Sequence, residues 1–345
     1  LVGLLRSRVP NLTIAQITSL IKDNADSIDY LNPGYEGKLG AGRISLYRSL
    51  LPLPHAKFST SATLGNIPLD IQFTDSSYGD GLYYWKWDFG DGDTLGLTTP
   101  VDTLHTYAEP GIYTCSYSAS GTWGTNTKKI LIGATADTVN VSSSQGLAGE
   151  YGVKVPLYAN NNIPVSEMII AMRYGNGTAP LTCDSVRFWG TRVESFPIRN
   201  VSVHKANQTI LLTLRNTNDP LEPGSGLLAN MYFRLDTLAS VGDTLQVDTA
   251  IIGSSYMKYS SILGDYVPDF QVGGIYVVEP IWGDANRDGD VTVSDVIFLI
   301  NALFKGGPSS NPKYIGDANC DGDVTISDII YIINHLFKNG PKPDC

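Results

Sequence analysis

A twelve-residue acidic segment occurs twice near the end of this 345-residue chain, and it limits how that region can fold. The first copy starts at Asp284, and the second starts 33 residues later, at Asp317. Both copies read Asp-Ala-Asn-x-Asp-Gly-Asp-Val-Thr-x-Ser-Asp, and an apolar stretch follows each of them. Because clustered carboxylates repel one another unless a cation lies between them, this region is expected to fold around a metal ion.

The oxygen-bearing residues in each copy have the spacing of a calcium loop. Ca²⁺ takes six to eight oxygens, which a twelve-residue loop supplies from positions 1, 3, 5, 7, 9 and 12, with Gly at position 6. Position 7 offers its backbone carbonyl, and position 9 binds through water. The predicted ligands of the first ion are Asp284, Asn286, Asp288, Asp290, Thr292 and Asp295, and those of the second are Asp317, Asn319, Asp321, Asp323, Thr325 and Asp328. We therefore expect two calcium ions.

The segments around the loops differ from those of an EF-hand. Residues 279–282 and 312–315 both contain proline, so neither is predicted to form a helix that enters a loop, and both loops close with Asp instead of Glu. After each loop, an apolar helix is predicted to pack on its twin and to stop at Lys-x-Gly-Pro. The paired pattern in 281–345 resembles the type I dockerin family. That resemblance implies a calcium-folded module that anchors a secreted protein to a cohesin module.

Two roles for this module stay open. Loop positions 10 and 11 are Val-Ser and Ile-Ser, where many cellulosomal dockerins have Ser-Thr pairs. Either the module docks on another protein, or calcium only holds it folded. We expect apolar side chains at equivalent surface positions of the two repeats, and such a patch usually marks a contact surface. These residues are Val293, Ile300, Ile326 and Ile333.

Residues 54–133 contain the string Trp85-Lys-Trp-Asp-Phe-Gly-Asp-Gly, whose aromatic residues alternate along a strand that ends in a glycine turn. The string resembles the PKD domain, which implies an immunoglobulin-like β-sandwich used as a spacer or for protein and polysaccharide contacts. Asp88 and Asp91 are predicted to accept hydrogen bonds from turn amides, and His105 is predicted to be structural.

Residues 134–280 alternate apolar and polar side chains in many short runs, which predicts a β-sandwich of about nine strands. The order of these runs resembles cohesin-like and carbohydrate-binding jelly rolls. Phe188, Trp189 and Tyr256 either form a sugar platform or belong to the core, since aromatic residues at strand spacing are usually buried.

Residues 1–53 begin with helical patterns, and Thr13 is the predicted N-cap of one helix. Together with a closing Gly-Ala-Gly-Arg segment, they resemble the C-terminal end of a subtilisin-like (S8) serine protease domain. The family's catalytic motifs would precede Leu1, so we interpret the chain as a fragment. None of the four histidines neighbours a nucleophile motif, and no catalytic residue is predicted.

Composition narrows the classes of partner. A net charge of −10 and a pI near 4.8 argue against nucleic acid and anionic membrane surfaces, both of which require basic patches. No apolar run reaches the roughly 18–20 residues that span a bilayer. The four cysteines lack the spacing of a zinc or redox site. Cys320 and Cys345 are expected to form a disulfide if the compartment is oxidising, while Cys115 and Cys183 are expected to be buried thiols.

The sequence thus predicts a mainly β, multidomain chain: a helical protease remnant, two β-sandwiches (PKD-like and cohesin-like) and a small helical dockerin-like module. The leading hypothesis is the non-catalytic attachment or spacer region of a secreted bacterial protein whose parent is a subtilisin-like endopeptidase. The alternative is a component of an extracellular polysaccharide-degrading or cell-surface assembly, with a cohesin-type module, polysaccharide or the cell surface as partner.

Overall fold

The structure is a computed structural model that describes residues 1–175 and 181–345. It is mainly β, with 41% of the residues in strands and 17% in helices, and this confirms the predicted fold class. The chain divides into two compact units, Leu1–Ala136 and Asp137–Cys345. Within the described residues, no helix has both the length and the apolar character needed to cross a membrane.

The first unit begins with three short helices, α1 (Val2–Arg8), α2 (Ile14–Asp23) and α3 (Leu46–Leu50), and a 3₁₀ turn at Asp29–Leu31. Thr13 is the N-cap of α2, as predicted. Its hydroxyl accepts a hydrogen bond from the Gln16 amide, and the Gln16 side chain accepts one from the Thr13 amide. Helix α2 is stabilised because these reciprocal bonds satisfy amides that have no partner within the helix. Apolar residues of the helices form their own small core.

The rest of the first unit is a sandwich of two sheets. Its strands are β1 (Phe58–Thr60), β2 (Leu64–Asn66), β3 (Leu69–Asp75), β4 (Leu82–Asp88), β5 (Thr94–Leu97), β6 (Thr103–Tyr107), β7 (Gly111–Gly121) and β8 (Gly124–Thr135). One sheet has the order β1-β3-β6, and the other has the order β2-β8-β7-β4-β5. All neighbours are antiparallel except β2 and β8.

Aromatic side chains fill this sandwich. The Trp87 ring is fully buried, and it stacks on Tyr117 at a centroid distance of 3.9 Å. Phe58 and Phe73 contact the same ring at 4.9 and 5.1 Å. Trp85 and Phe89 are also buried, in agreement with the alternation read from the sequence. This core holds the two sheets together, because large buried aromatic rings contribute much of the apolar area removed from water.

The second unit contains a larger sandwich and the C-terminal module. The strands of the sandwich are β9 (Thr138–Val141), β10 (Ser143–Gly146), β11 (Tyr151–Asn161), β12 (Glu167–Tyr174), β13 (Leu181–Arg187), β14 (Ile198–His204), β15 (Thr209–Arg215), β16 (Gly224–Leu235), β17 (Thr244–Thr249), β18 (Lys258–Ser261), β19 (Gly264–Tyr266), β20 (Asp269–Gln271) and β21 (Gly273–Val277). One sheet has the order β13-β16-β11-β9-β20. The other has the order β10-β21-β17-β12-β15-β14, and β18 joins it through β12.

The described part of this sandwich has thirteen strands, whereas the sequence predicted about nine. Five of them contain only three or four residues, among them β10, which pairs with β21 in parallel. Strands this short carry too few alternations for a periodic pattern to be read. The longest strands, β11 and β16, pair along most of their length and form the centre of their sheet.

The two cysteines outside the C-terminal module are buried, one in each unit. Cys115 and Cys183 are both 0% exposed. Burial raises the pKa of each thiol to about 12, because a thiolate is poorly solvated inside a sandwich. Both residues therefore act as small core side chains, as predicted.

The C-terminal module consists of the two loops and two helices, α4 (Val293–Phe304) and α5 (Ile326–Lys338). The segments before the loops form no α-helix in the described residues, although a four-residue 3₁₀ turn occupies Lys313–Gly316. The module core is small, and its buried residues are Ala285, Val296, Leu299, Ala318, Ile329 and Ile332.

Of the four apolar residues that were predicted to lie on the surface of the module, two are exposed and two are not. Val293 and Ile326 are exposed, but Ile300 and Ile333 pack half-buried against the module core. Ile300 follows the buried Val296 by four residues on α4, and Ile333 follows the buried Ile329 by four residues on α5. Since residues four apart lie on the same helix face, both side chains turn toward the core.

We expect Phe73→Ala to destabilise the first unit by about 3–5 kcal/mol, because it removes a fully buried ring and leaves a cavity. The matched control is Leu104→Ala on the adjacent strand, where the side chain is 62% exposed, and its expected cost is below about 0.5 kcal/mol. Urea unfolding followed by tryptophan fluorescence measures both costs. Equal costs for the two variants would contradict this packing.

Candidate metal centre

Each twelve-residue loop continues directly into the first turn of its helix. Thr292 is the N-cap of α4, and its hydroxyl accepts a hydrogen bond from the Ser294 amide at 3.2 Å. Thr325 caps α5 in the same way, through the Ser327 amide at 3.2 Å. The end of each loop is thereby fixed to a helix, which gives the last loop residues a defined orientation.

The first residue of each loop organises the turn that follows it. The Asp284 carboxylate accepts hydrogen bonds from the amides of Asp288 at 3.1 Å and Gly289 at 3.0 Å. In the second loop, the Asp317 carboxylate makes the equivalent bonds at 3.1 and 2.8 Å. Gly289 has a φ of 101°, a backbone conformation that side chains strongly disfavour, so glycine is required at this position.

The last residue of each loop joins its two halves. The Asp295 carboxylate accepts hydrogen bonds from the amides of Asn286 at 3.1 Å and Thr292 at 2.8 Å. Asp328 accepts the corresponding bonds at 3.2 and 2.7 Å. Both loops therefore fold back on themselves through equivalent hydrogen bonds.

These carboxylates are buried without a cationic partner. Carboxylate oxygens of Asp284, Asp288 and Asp295 all lie within 4.8 Å of one another. The first and last Asp of each loop are at most 7% exposed, and none forms an ion pair with a side chain in residues 1–175 and 181–345. Burying such charges unpaired is costly. A hard cation bound by oxygens removes that cost, so the donor set fits calcium.

The pKa of Asp295 reflects this unfavourable charge cluster. Burial raises the pKa of its carboxyl group, hydrogen bonds from the Thr292 and Asn286 amides oppose the shift, and the nearby charges of Asp284 and Asp288 raise it further. A bound cation favours the ionised carboxylate. Protons and calcium therefore compete for this residue, and calcium affinity is expected to fall as the pH drops through the raised pKa.

The structure places the remaining predicted ligands around the same loops. The Asn286 side-chain oxygen accepts the Asp288 amide at 2.9 Å, and Asn319 does the same for Asp321 at 3.0 Å. Asp290 and Asp323 lie at position 7 with exposed side chains, where only a backbone carbonyl is needed. The Thr292 and Thr325 hydroxyls serve as helix caps, and their contact with calcium through water stays a prediction.

The sequence reasoning missed two serines that belong to the loops. The Ser294 hydroxyl lies 2.6 Å from the Thr292 hydroxyl and donates to the Asp288 carboxylate at 3.0 Å. Ser327 makes the same contacts in the second loop at 2.6 and 3.4 Å. The occurrence of Ser at position 11 in both copies was the signal that could have identified them.

A disulfide closes the second loop against the end of the chain. The structure joins Cys320, at loop position 4, to Cys345, with their Cα atoms 5.8 Å apart. The bridge closes a segment with a sequence separation of 25 residues, which includes α5. Cross-linking over such a segment lowers the entropy of the unfolded chain and so favours the folded module.

A second acidic cluster, in the first sandwich, has a structural explanation. Carboxylates of Asp91 and Asp93 lie near His105, but Asp91 accepts the Asp93 amide at 3.0 Å and contacts His105 Nε2 at 2.6 Å. His105 also stacks on Phe89 at 3.9 Å, and Asp88 accepts the Gly90 amide at 3.1 Å. These contacts are the turn and packing roles predicted from the sequence.

Two segments of the chain match known domain families. The family model of the PKD domain matches residues 51–136, and the model of the dockerin type I domain matches residues 282–337. The chain therefore has the modular composition that the sequence predicted at both of these positions. Because type I dockerin domains typically bind calcium, the second match supports calcium as the metal of the C-terminal loops.

Several solved cohesin structures are similar to this chain at low identity. The third cohesin of ScaC from Acetivibrio cellulolyticus, in complex with the ScaB dockerin, is 20% identical and covers 41% of this chain and 99% of that chain, with a TM-score of 0.36. A non-cellulosomal cohesin from Archaeoglobus fulgidus is 18% identical over 41% of this chain and 91% of that chain, with a TM-score of 0.33. None of the curated proteins compared with the sequence matches it.

We expect Asp284→Ala combined with Asp317→Ala to abolish the stabilisation of the C-terminal module by calcium. A site that binds calcium only in the folded state stabilises it by about 2.7 kcal/mol when calcium is 100-fold above the dissociation constant. Thermal unfolding in calcium and in a chelator, followed by calorimetry, measures the loss.

The matched control is Asp290→Ala combined with Asp323→Ala. It removes the same number of charges from the same loops, but at positions that offer only a backbone carbonyl. Calcium should stabilise this control almost as well as the unmodified chain. A similar calcium-dependent shift in both double variants would refute the ligand assignment.

Proposed function

We propose that the C-terminal module is a calcium-folded attachment domain, which binds two calcium ions and fastens a secreted modular protein to a cohesin-type module. The supporting observation is an apolar edge on each helix. Val293, Ile297 and Phe304 on α4 are 46%, 55% and 63% exposed. The residues at the equivalent positions of α5 are Ile326, Ile330 and Phe337, at 57%, 52% and 68%.

These exposed side chains have the arrangement of a contact surface. Within each helix they are spaced by four and then seven residues, so they share one face. The helices are short, and leaving three large apolar residues of each in water is unfavourable unless a partner covers them. The dockerin type I match at residues 282–337 supports a cohesin-type module as the partner.

The remainder of the chain is proposed to space and support this attachment domain. The two sandwiches have buried aromatic or aliphatic cores, and no catalytic role is proposed for any residue of the chain. A disulfide within the module is consistent with a location outside the cell, where an oxidising environment preserves such bonds. We propose boundaries near 53, 133 and 280 between the four predicted segments.

The parent protein is proposed to be a subtilisin-like serine endopeptidase of bacterial origin. The support is the sequence resemblance of residues 1–53 and the capped helix α2 that begins after Thr13, where the resemblance requires a helix. Sequencing upstream of Leu1 tests this proposal. A Gly-Thr-Ser-Met motif there would support it, and an unrelated domain in that place would refute it.

A second candidate function is participation in an extracellular polysaccharide-degrading or cell-surface assembly, through direct contact with sugar. One observation favours it: the Trp189 side chain is 85% exposed in the turn after β13. Exposed indole rings pack well against sugar rings because they combine a flat apolar face with a polar edge. Pull-down on insoluble polysaccharides, with Trp189→Ala as the comparison, tests it, and equal retention of both chains would refute it.

We expect Ile297→Asp combined with Ile330→Asp to weaken binding of a cohesin-type module at least about hundredfold. The two charges would lie at the centres of the two apolar edges, where burial of an unpaired carboxylate opposes association. Calorimetric titration of the full chain with a panel of cohesin modules, in calcium and in a chelator, measures the affinity.

The matched control is Ile262→Asp, which changes another highly exposed isoleucine, between β18 and β19, by the same chemistry. This control should bind as the unmodified chain does. The proposed surface would be wrong if both edge substitutions left the affinity of a bound cohesin module unchanged.

A further inference from the structure

The C-terminal module contacts residues 147–151 of the second sandwich, which are the turn after β10 and the first residue of β11. The guanidinium group of Arg287 forms an ion pair with the Glu150 carboxylate. The Asn311 side chain accepts a hydrogen bond from the Tyr151 amide at 3.1 Å and donates one to the Tyr151 carbonyl at 2.6 Å. The Tyr314 hydroxyl donates to the Ala148 carbonyl at 3.0 Å. We call these three contacts the latch.

The sandwich side of the latch is preorganised. The Glu150 side chain is 12% exposed, and its carboxylate also accepts the Leu147 amide at 2.8 Å. Its backbone carbonyl accepts the Leu235 amide of β16 at 2.8 Å, and the Gly149 amide donates to the Asp236 carbonyl at 3.1 Å. The acceptor for Arg287 is thus held in place by hydrogen bonds within the sandwich. A partly buried ion pair of this kind contributes more than an exposed one.

The module side of the latch depends on the shape of the first loop. Arg287 occupies loop position 4, between the predicted ligands Asn286 and Asp288. Its φ is 61°, in the left-handed region that non-glycine residues rarely adopt. An ion bound in the loop would hold both neighbours and so would hold Arg287 in this conformation, with its guanidinium group against Glu150. An open loop would release it.

The second loop lacks an equivalent contact. Its position 4 is Cys320, with a φ of 63°, and this residue is joined to Cys345. Among the described residues, the hydrogen bonds and ion pairs between loop side chains and the sandwich come from the first loop alone. The two loops have nearly the same sequence, so position 4 is the feature that assigns the ion pair of the latch to the first loop. The Asn311 and Tyr314 contacts come from the segment between α4 and the second loop.

We propose that calcium in the first loop closes the latch and joins the module to the second sandwich as one cooperative body. The proposal rests on calcium binding by that loop, which is part of the proposed function. Because coupling between two equilibria is reciprocal, a closed latch must also raise the calcium affinity of the first loop. The exposed helix edges take no part in the latch, so calcium would orient the attachment surface on the sandwich and leave it free to bind.

The reciprocity allows a test whose first substitution, Glu150→Gln, lies outside both calcium loops. Glu150→Gln keeps an acceptor for the Leu147 amide but removes the charge that Arg287 contacts. In the full chain, we expect it to weaken one of the two calcium sites about five- to tenfold and to leave the other site nearly unchanged. Arg287→Gln should have the same effect, and the two substitutions together should add little further loss. Competition with a chromophoric chelator measures both affinities.

The matched control is Arg173→Ala, which breaks the exposed ion pair with Asp248 in the same unit and should leave both affinities unchanged. Hydrogen exchange gives a second readout, which does not depend on resolving the two affinities. The Tyr151 amide, which donates to Asn311 across the latch, should exchange faster in chelator than in calcium, and in Glu150→Gln it should exchange fast in both.

Each outcome of these measurements decides the proposal. If the unmodified chain binds calcium but Glu150→Gln retains both affinities within twofold, the latch is refuted while the attachment function stands. If the unmodified chain binds no calcium, the latch and the proposed function both fail. Loss of affinity at one site together with calcium-dependent protection of the Tyr151 amide supports the latch.

Discussion

The buried carboxylates of the two loops are the constraint on which the C-terminal module depends. Asp295 and Asp328 are fully buried, and Asp284 and Asp317 are nearly so, in a module whose core has only six buried apolar side chains. Such a small core supplies little stabilisation against four unpaired charges. A bound cation would attract the carboxylates that otherwise repel one another. The closing carboxylates, Asp295 and Asp328, also accept hydrogen bonds from the helix caps and join the two halves of each loop. Helix formation and metal binding are therefore expected to be one process.

The parts of this design that were predictable from the sequence are local ones. The loop hydrogen bonds, glycine turns and helix caps all lie within twelve residues, where spacing alone decides which atoms converge. The direction of Ile300 was predicted wrongly, because it depends on which helix face the twin covers. The contact between Arg287 and Glu150 could not be predicted from the sequence, since no periodicity connects a loop residue with a distant turn. Short strands such as β19 were missed because three residues carry no pattern.

The two loops show how nearly identical sequences can serve different purposes. Position 4 projects outward in both, in the same left-handed conformation, because the loop has to turn there. In one copy that residue is an arginine directed at the sandwich, and in the other it is a cysteine bonded to the chain terminus. The repeat thus keeps the predicted calcium ligands the same and varies the residue that fastens the loop. The apolar residues of the helix edges, which are the proposed attachment surface, stay equivalent.

Hydrogen exchange of α4 and α5 in the full chain, in calcium and in a chelator, tests most directly whether calcium folds the module. We expect strong protection of 293–304 and 326–338 in calcium and fast exchange of both helices in the chelator. The strands of the first sandwich should be equally protected in both conditions, because they contain no predicted ligand. Equal protection of the two helices with and without calcium would contradict the account.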